Sequence, residues 1–257
     1  MLETSALYRQ IMAGTHWFET RLTLGENGVL LTEDGSTLLF GDDAILVDTG
    51  APDDGYNESI LMSVSTNNQI FSQEPGVGAT CAGEIDVGMV KPLADIPIRA
   101  RMGLYVRACS ADAVSEWIPQ GVFYVDQRSE TKASSWSRLT LHGYDAMLLT
   151  EADYPDGGLT WPATDAAVVQ EIADYLGLQV DSRVWEAITA GYEIQFPSGY
   201  SCREVLGYIG GMYAGNWCMG LDGQLLLVTL NATPAETRLL IDEAGDEITF
   251  GGDAILV

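Results

Sequence analysis

The chain has 257 residues, enough for one large domain or two small ones. Hydrophobic residues make up 47% and charged residues 19%, which supports a packed core and excludes a disordered chain. Thirty-seven acidic residues face twelve basic ones, and the net charge of −25 argues against binding a phosphate backbone.

Residues 1–20 carry a short helical pattern, with Leu7, Ile11 and Met12 on one side, before His16-Trp17-Phe18. The first ten residues lack the basic start and apolar stretch of a signal peptide, and no run is long enough to cross a bilayer. From Phe18 to about His142 the signals are those of strands. Thr20 to Leu24 alternates. Val29–Leu31 and Leu38–Phe40 flank Glu33-Asp34-Gly35-Ser36, a turn sequence, and Ala44–Val47 is another short apolar run. Asp48 to Asn57 holds three Asp, two Gly and a Pro, and is expected to be a loop. Ser59–Phe71, Glu84–Val90, Arg99–Val106, Trp117–Asp126 and Ser137–His142 complete a series of short strands, as in a barrel or sandwich.

The pattern changes near residue 144. Tyr144-Asp145-Ala146-Met147-Leu148-Leu149 predicts a helix that Pro155 and Asp156-Gly157-Gly158 end. Thr164 caps a second, in which Ala167, Val168, Ile172, Ala173 and Leu176 recur at helical spacing and Gly177 terminates. Val184 to Ile188 predicts a third, short one. The most ordered signal is Tyr200 to Val228. Ser201 is a good N-cap, and Glu204 completes a capping box. Val205, Leu206, Ile209 and Met212 follow at helical spacing, Gly215-Asn216 is the expected stop, and two apolar runs flank the turn Asp222-Gly223. The unit is helix, strand, turn, strand.

One octapeptide occurs twice. Phe40-Gly41-Asp42-Asp43-Ala44-Ile45-Leu46-Val47 returns as Phe250-Gly251-Gly252-Asp253-Ala254-Ile255-Leu256-Val257, and Glu33 and Gly35 align with Glu243 and Gly245. Duplication of a β element accounts for this. An apolar end such as Ala254–Val257 would pair within this chain or add to a neighbour's sheet, unless the sequence is a truncation of a longer protein.

An ordered set of segments now resembles one family. It comprises Glu84-Ile85-Asp86-Val87, Val122–Asp126 after Trp117-Ile118, Leu139–Met147, the Ala167–Leu178 helix, and the Ser201–Leu206 helix with its hairpin. This succession, over about residues 15–250, resembles the N-terminal hub region of phage and prophage tail proteins related to the baseplate hub of contractile tails. The resemblance implies an α+β fold: an antiparallel barrel-like domain over 1–145, an α+β subdomain over 146–235, and strands beginning a second β element over 236–257. It also implies a homotrimer, with paired barrels in a pseudo-sixfold ring that closes the tail tube. Distal tail, tube and tape-measure proteins are the implied partners, and the virion tail, made in the host cytoplasm, is the implied location. A negatively charged ring lumen would let DNA pass without sticking.

The residues themselves assign no catalytic group, cofactor or metal. His16 and His142 lack metal-ligand spacing. Gly199-Tyr200-Ser201-Cys202-Arg203 lacks the second Gly of a nucleophile elbow. Asp42, Asp43, Asp48, Asp53 and Asp54 lack the order of a calcium-binding EF-hand loop. Cys202, beside Arg203 at a helix start, has no visible His partner. Cys81, Cys109, Cys202 and Cys218 form no Cys-x-x-Cys pair and are expected to be free thiols. Edge and exposure logic nominates assembly contacts instead: Glu33 and Asp34, then Asp53, Asp54 and Tyr56 of the acidic loop, then Phe250, Ile255 and Val257. A second reading is an acidic α+β hydrolase or carbohydrate-binding module, with Trp161, Trp217, Tyr154 and Tyr213 as a sugar platform.

Overall fold

Period-two alternation of apolar residues shapes the first half of the chain, and helical spacing the second. The computed structural model describes residues 4–24, 28–29, 39–40, 43–44, 46–47, 55–71, 76–93, 95–132, 135–155, 157–230, 249–250 and 253–254. Ser5 caps helix α1 (Ala6–Met12) by accepting from the Tyr8 N–H at 3.0 Å. Strand β1 (Trp17–Leu24) follows. Four two-residue strands come next: β2 (Gly28–Val29), β3 (Leu39–Phe40), β4 (Asp43–Ala44) and β5 (Leu46–Val47). β2 pairs with β5 and β3 with β4. The long strands β6 (Leu61–Asn67), β7 (Glu84–Val90), β8 (Arg101–Cys109), β9 (Ile118–Lys132) and β10 (Ser137–Tyr144) join β1 in one antiparallel sheet of order β1-β8-β9-β10-β7-β6.

This sheet curls into a half-barrel. Its concave face buries Leu22, Ile85, Val87, Met89, Met102, Leu104, Phe123, Val125 and Leu141. The curl brings the two outer strands toward each other. Leu22 of β1 exchanges backbone hydrogen bonds of 2.8 and 2.7 Å with Tyr56, on the approach to β6. The Glu58 carboxylate accepts from the Thr20 N–H beside it. Strand β9 continues six residues beyond the expected Asp126 end. Residues 126–132 are polar and exposed, so no apolar alternation marks them, and pairing with β10 holds them extended.

The chain leaves the sheet at Asp145, whose carboxylate accepts from Gly83 N–H at 2.7 Å and Met147 N–H at 2.9 Å. The expected α-helix here is a 3₁₀ helix, Ala146–Glu151. It is short because Ala152 turns extended and Asp153 bridges Ser201. Then come β11 (Ala163–Thr164), α2 (Asp165–Leu176), α3 (Ser182–Ala187), β12 (Glu193–Ile194), α4 (Cys202–Met212), β13 (Gly215–Met219) and β14 (Leu225–Thr229). Two further strands, β15 (Thr249–Phe250) and β16 (Asp253–Ala254), pair with each other. Thr164 caps α2, and Gly177 ends it at φ +66°. Ser201 and Glu204 form the capping box of α4. The stop of α4 differs from expectation: Ala214 takes the positive φ of +48°, while Gly215 and Asn216 already belong to β13.

A second core gathers Met147, Val168, Val169, Ile172, Val184, Val205, Leu206, Ile209, Trp217, Leu225 and Leu227. Trp217 is fully buried, and its indole N–H donates to the Leu206 carbonyl at 2.6 Å. The β13–β14 hairpin is flanked on both sides. Trp217 bridges Thr80 in parallel, and Leu225 bridges Val180 in parallel. The connection from β6 to β7 therefore crosses into the helix–hairpin core before returning to the sheet. Asn216, fully buried, fixes that crossing: its amide oxygen accepts from Ala79 N–H and its amide N–H₂ donates to the Gly76 carbonyl, both at 2.8 Å. Gly78, at φ +79°, passes so close to α4 that an added Cβ would lie 2.7 Å from the Gly207 carbonyl oxygen. No helix among the described residues is long and apolar enough to cross a membrane.

Candidate assembly surfaces

The inward faces of both cores are set by the patterns above, so the outward apolar residues are the informative ones. One group lies at the start of β1. Trp17 is 50% exposed and Val114 45%, and both pair with Cys109, from opposite sides. Phe18, beside Trp17, is also exposed. A second group lies on and before α4. Val205, Leu206 and Ile209 face the core, which turns Tyr208 outward; Tyr208 is 59% exposed. The Tyr200 ring stacks edge-on against Tyr208 at 5.6 Å. Met212, expected inside on its spacing, is half exposed because the helix ends there.

Charge divides the same way. Between residues 146 and 230 there are eleven acidic residues and two basic ones, Arg183 and Arg203. Both are paired, Arg183 with Asp181 at 2.6 Å and Arg203 with Glu151 at 2.9 Å. Beside Tyr208 the surface of α4 carries one charge of each sign, Arg203 and Glu204. The sheet is more mixed. The Arg21 and Arg107 guanidiniums stack over the Trp117 ring at 4.4 and 4.3 Å. Hydrogen bonding from Arg107 holds the Glu19 carboxyl below its ordinary range.

A cleft of about 460 Å³ separates sheet from module. Arg99, Tyr124 and Tyr144 line one side, Leu148, Leu149 and Leu178 the other, with Asp145 between them. Burial pushes the Asp145 carboxyl up to about 6, against the opposing effect of the Gly83 and Met147 N–H groups.

The nominated contact residues fall unevenly. Glu33, Asp34, Asp53, Asp54, Ile255 and Val257 lie outside the described residues. Phe250 pairs through its backbone with Asp253, as Phe40 does with Asp43. Tyr56 is in the core, 3% exposed, and its buried hydroxyl has no hydrogen-bond partner among the described residues. It is a residue of the half-barrel's seam. The α4 aromatics escaped the sequence reading. The signal for Tyr208 was there: it lies off the stripe that Val205, Leu206 and Ile209 take inward.

The residues weighed for chemistry are occupied structurally. The Ser201 hydroxyl accepts from the Glu204 N–H, and the Glu204 carboxylate accepts from the Ser201 N–H at 2.8 Å. Burial pushes the Cys202 thiol up to about 11, so it is no thiolate at neutral pH. The supposed sugar platform does not form: Trp217 is closed off in the core, and Tyr154 is 8% exposed. The Tyr154 hydroxyl donates to Glu171, and that of Tyr213 to Asp165. Among the described residues, no three His, Cys, Asp or Glu side chains are grouped to hold a metal.

Two solved structures are similar to this chain. One is the 43 kDa tail protein of prophage MuSo2 from Shewanella oneidensis, with 16% identity, a TM-score of 0.46, and coverage of 88% of this chain and 59% of that one. The other is the tail protein from Neisseria meningitidis MC58, with 10% identity, a TM-score of 0.45, and coverage of 82% and 50%. Both are tail proteins, the first of them encoded by a prophage. The chain thus spans half to three fifths of their lengths. No family model and no curated protein matches it.

Proposed function

We propose that the chain is a structural, non-enzymatic component of a phage or phage-like tail. Its place is the tail-tip or baseplate hub ring, which closes the tail tube and joins it to the tip or fibre apparatus. The observation that carries the reading is the repeated hairpin. Phe40 and Asp43 pair as Phe250 and Asp253 do, and Leu39 and Ala44 pair as Thr249 and Ala254 do. A chain with two copies of one edge element has two equivalent places to meet neighbours, which suits a closed ring. The half-barrel's open edges and the exposed Tyr200–Tyr208 pair supply further contact surface.

On this reading the protomer divides into a barrel-like hub domain over 1–145, an α+β subdomain over 146–235 and a further β element over 236–257. It assembles as a homotrimer with distal tail, tube and tape-measure proteins as neighbours. Glu33, Asp34, Asp53, Asp54, Phe250, Ile255 and Val257 contribute to the contacts, and Tyr56 is a buried residue of the half-barrel's seam. The test is absolute mass by light scattering across a concentration series. A stable mass near three protomers is the expected result. A strict monomer at every concentration rules out a ring built by this chain alone.

A further inference from the structure

Two of the four cysteines stand opposite each other where the β6–β7 connection is tied to the hairpin. The Trp217 N–H donates to the Ala79 carbonyl at 2.8 Å, and the Cys81 N–H donates to the Trp217 carbonyl at 3.3 Å. These two bonds make Thr80 the parallel partner of Trp217. The bridge is a single one, but the Cys81 N–H on the Trp217 carbonyl sets Cys81 beside the residue that follows Trp217, which is Cys218. Register partners direct their side chains to the same face. Trp217 points into the core beneath α4, so Cys218 points to the opposite face. Neighbouring strands lie ~4.8 Å apart, inside the ~4.4–6.8 Å Cα separation that a disulfide spans. Both cysteines are free thiols and neither is fully buried, whereas Cys109 and Cys202 are.

We propose that Cys81 and Cys218 are a paired dithiol that closes to a disulfide on meeting an oxidised thiol such as oxidised glutathione. One cysteine thiolate attacks a sulfur of the oxidant and releases one glutathione thiolate. The second cysteine thiolate then attacks the mixed disulfide at the protein sulfur and releases the other. The protein loses two protons and two electrons, and one glutathione disulfide becomes two glutathione thiols. The bond clamps the connecting segment to β13, and with it the sheet to the helix–hairpin module.

The surroundings set the pace of closure. Burial is the largest effect holding both thiols protonated, and the Asp145 carboxylate adds to it at each. Arg203 opposes it at Cys81 and Arg183 at Cys218, which is pushed up to about 11. Both thiols are held protonated at neutral pH, so closure is slow there. The chemistry stands on the ladder geometry alone. If the tail reading also holds, the protein passes from a reducing cytoplasm to an oxidising exterior, and the clamp closes after release.

The test treats the full chain with oxidised glutathione near the ordinary thiol pKa of about 8.5. It then blocks remaining thiols under denaturing conditions and maps peptides by mass. One Cys81–Cys218 linked pair is expected, two hydrogens lighter than the free peptides, with Cys109 and Cys202 alkylated. The oxidised chain should also unfold at higher denaturant than the reduced one. Cys218→Ser should instead trap a glutathione adduct on Cys81. Should that variant fail to fold, Cys81→Ser must likewise abolish the linked pair. Four alkylated cysteines, a stable glutathione adduct in the unsubstituted chain, or a link through Cys109 or Cys202 each overturns the proposal. Light scattering is blind to all of these, so this proposal and the ring assembly fail separately.

Discussion

In the sheet, six strands bury a curved apolar face, and among the described residues the outer strands meet through one pair of backbone bonds, Leu22 to Tyr56. In the helix–hairpin module, two strands are flanked on both sides, by Thr80 against Trp217 and by Val180 against Leu225, with α4 over one face. The sheet is long and its outer strands barely meet; the hairpin is short and carries one bridge on each flank. Backbone groups along an open edge seek partners, so the sheet is the natural place for strand addition. The module's strands have no such need, and what it offers outward is side chain, above all Tyr200 and Tyr208. Exposed backbone and exposed aromatic side chains thus lie in different halves.

The contrast is tested most strongly at Trp217. Trp217→Ala removes a fully buried indole and leaves the Leu206 carbonyl without its donor. A loss of about 3–5 kcal/mol is expected from a large-to-small core change of this kind. Hydrogen exchange should report it first at β14. Equal loss of protection at β7 and β10 would show one cooperative unit instead of two cores.

Asp145 sits between the halves, bonded to Gly83 from the sheet side and Met147 from the module. Its folded pKa, about 6, lies above the ordinary 3.8 because the carboxyl is buried. A raised carboxyl favours the protonated folded form. Its contribution to stability is therefore complete below about pH 4 and is lost as pH rises through about 6. The shift amounts to about 3 kcal/mol by neutral pH. Asp145→Asn should flatten the stability profile between about pH 4 and pH 6. The slope is the readout, since the amide also gives up one acceptor. An unchanged slope in urea titrations would remove Asp145 as the titrating group.

Asn216 holds the crossing segment by two hydrogen bonds and nothing else in its side chain can replace them. Asn216→Ala should cost about 2 kcal/mol, the scale for stranding buried backbone partners. Exchange should quicken at Ala79 before it does at Leu225, whose N–H is held by the Gln179 carbonyl on the far side of the hairpin. Simultaneous quickening would mean the two flanks of the hairpin open together.

Why these parts differ in legibility from sequence follows from how far their causes lie apart. Helix α4 was readable because Ser201, Glu204 and the Val205–Leu206–Ile209 stripe act within one short segment. The alternating strands were readable for the same reason. The crossing segment Val77–Gly83 was not: it has no period, and Ala79 meets its partner Asn216 at a separation of 137 residues. Tyr56 shows the limit from the other side. The run before it is rich in Asp, Gly and Pro and argues for exposure, yet the curl of the sheet draws this one ring into the core. Asp145 read as one residue of the helical run Tyr144–Leu149, and nothing local marks it as the cap of a 3₁₀ turn. Of the candidate surface, Tyr208 could be placed outward from spacing alone, whereas the cleft needed both halves in place.

The smallest expected effect is a difference of sign on one helix. Gly207 and Gly211 lie four residues apart in α4. A Cβ at Gly207 would sit 2.8 Å from the Gly78 carbonyl oxygen, while at Gly211 it would meet nothing within 4 Å. Alanine is the better helix former in both places, by up to about 1 kcal/mol. Gly211→Ala should therefore raise the unfolding midpoint slightly. Gly207→Ala should lower it, by about 1–2 kcal/mol, because backbone must move to admit the methyl group. The two variants share one chemistry and one helix, so helix propensity cancels between them. What remains is the packing of the crossing segment on α4. If both variants stabilise, that packing yields to a methyl group, and the crossing segment is held to the module by its hydrogen bonds to Asn216, Gly215 and Trp217.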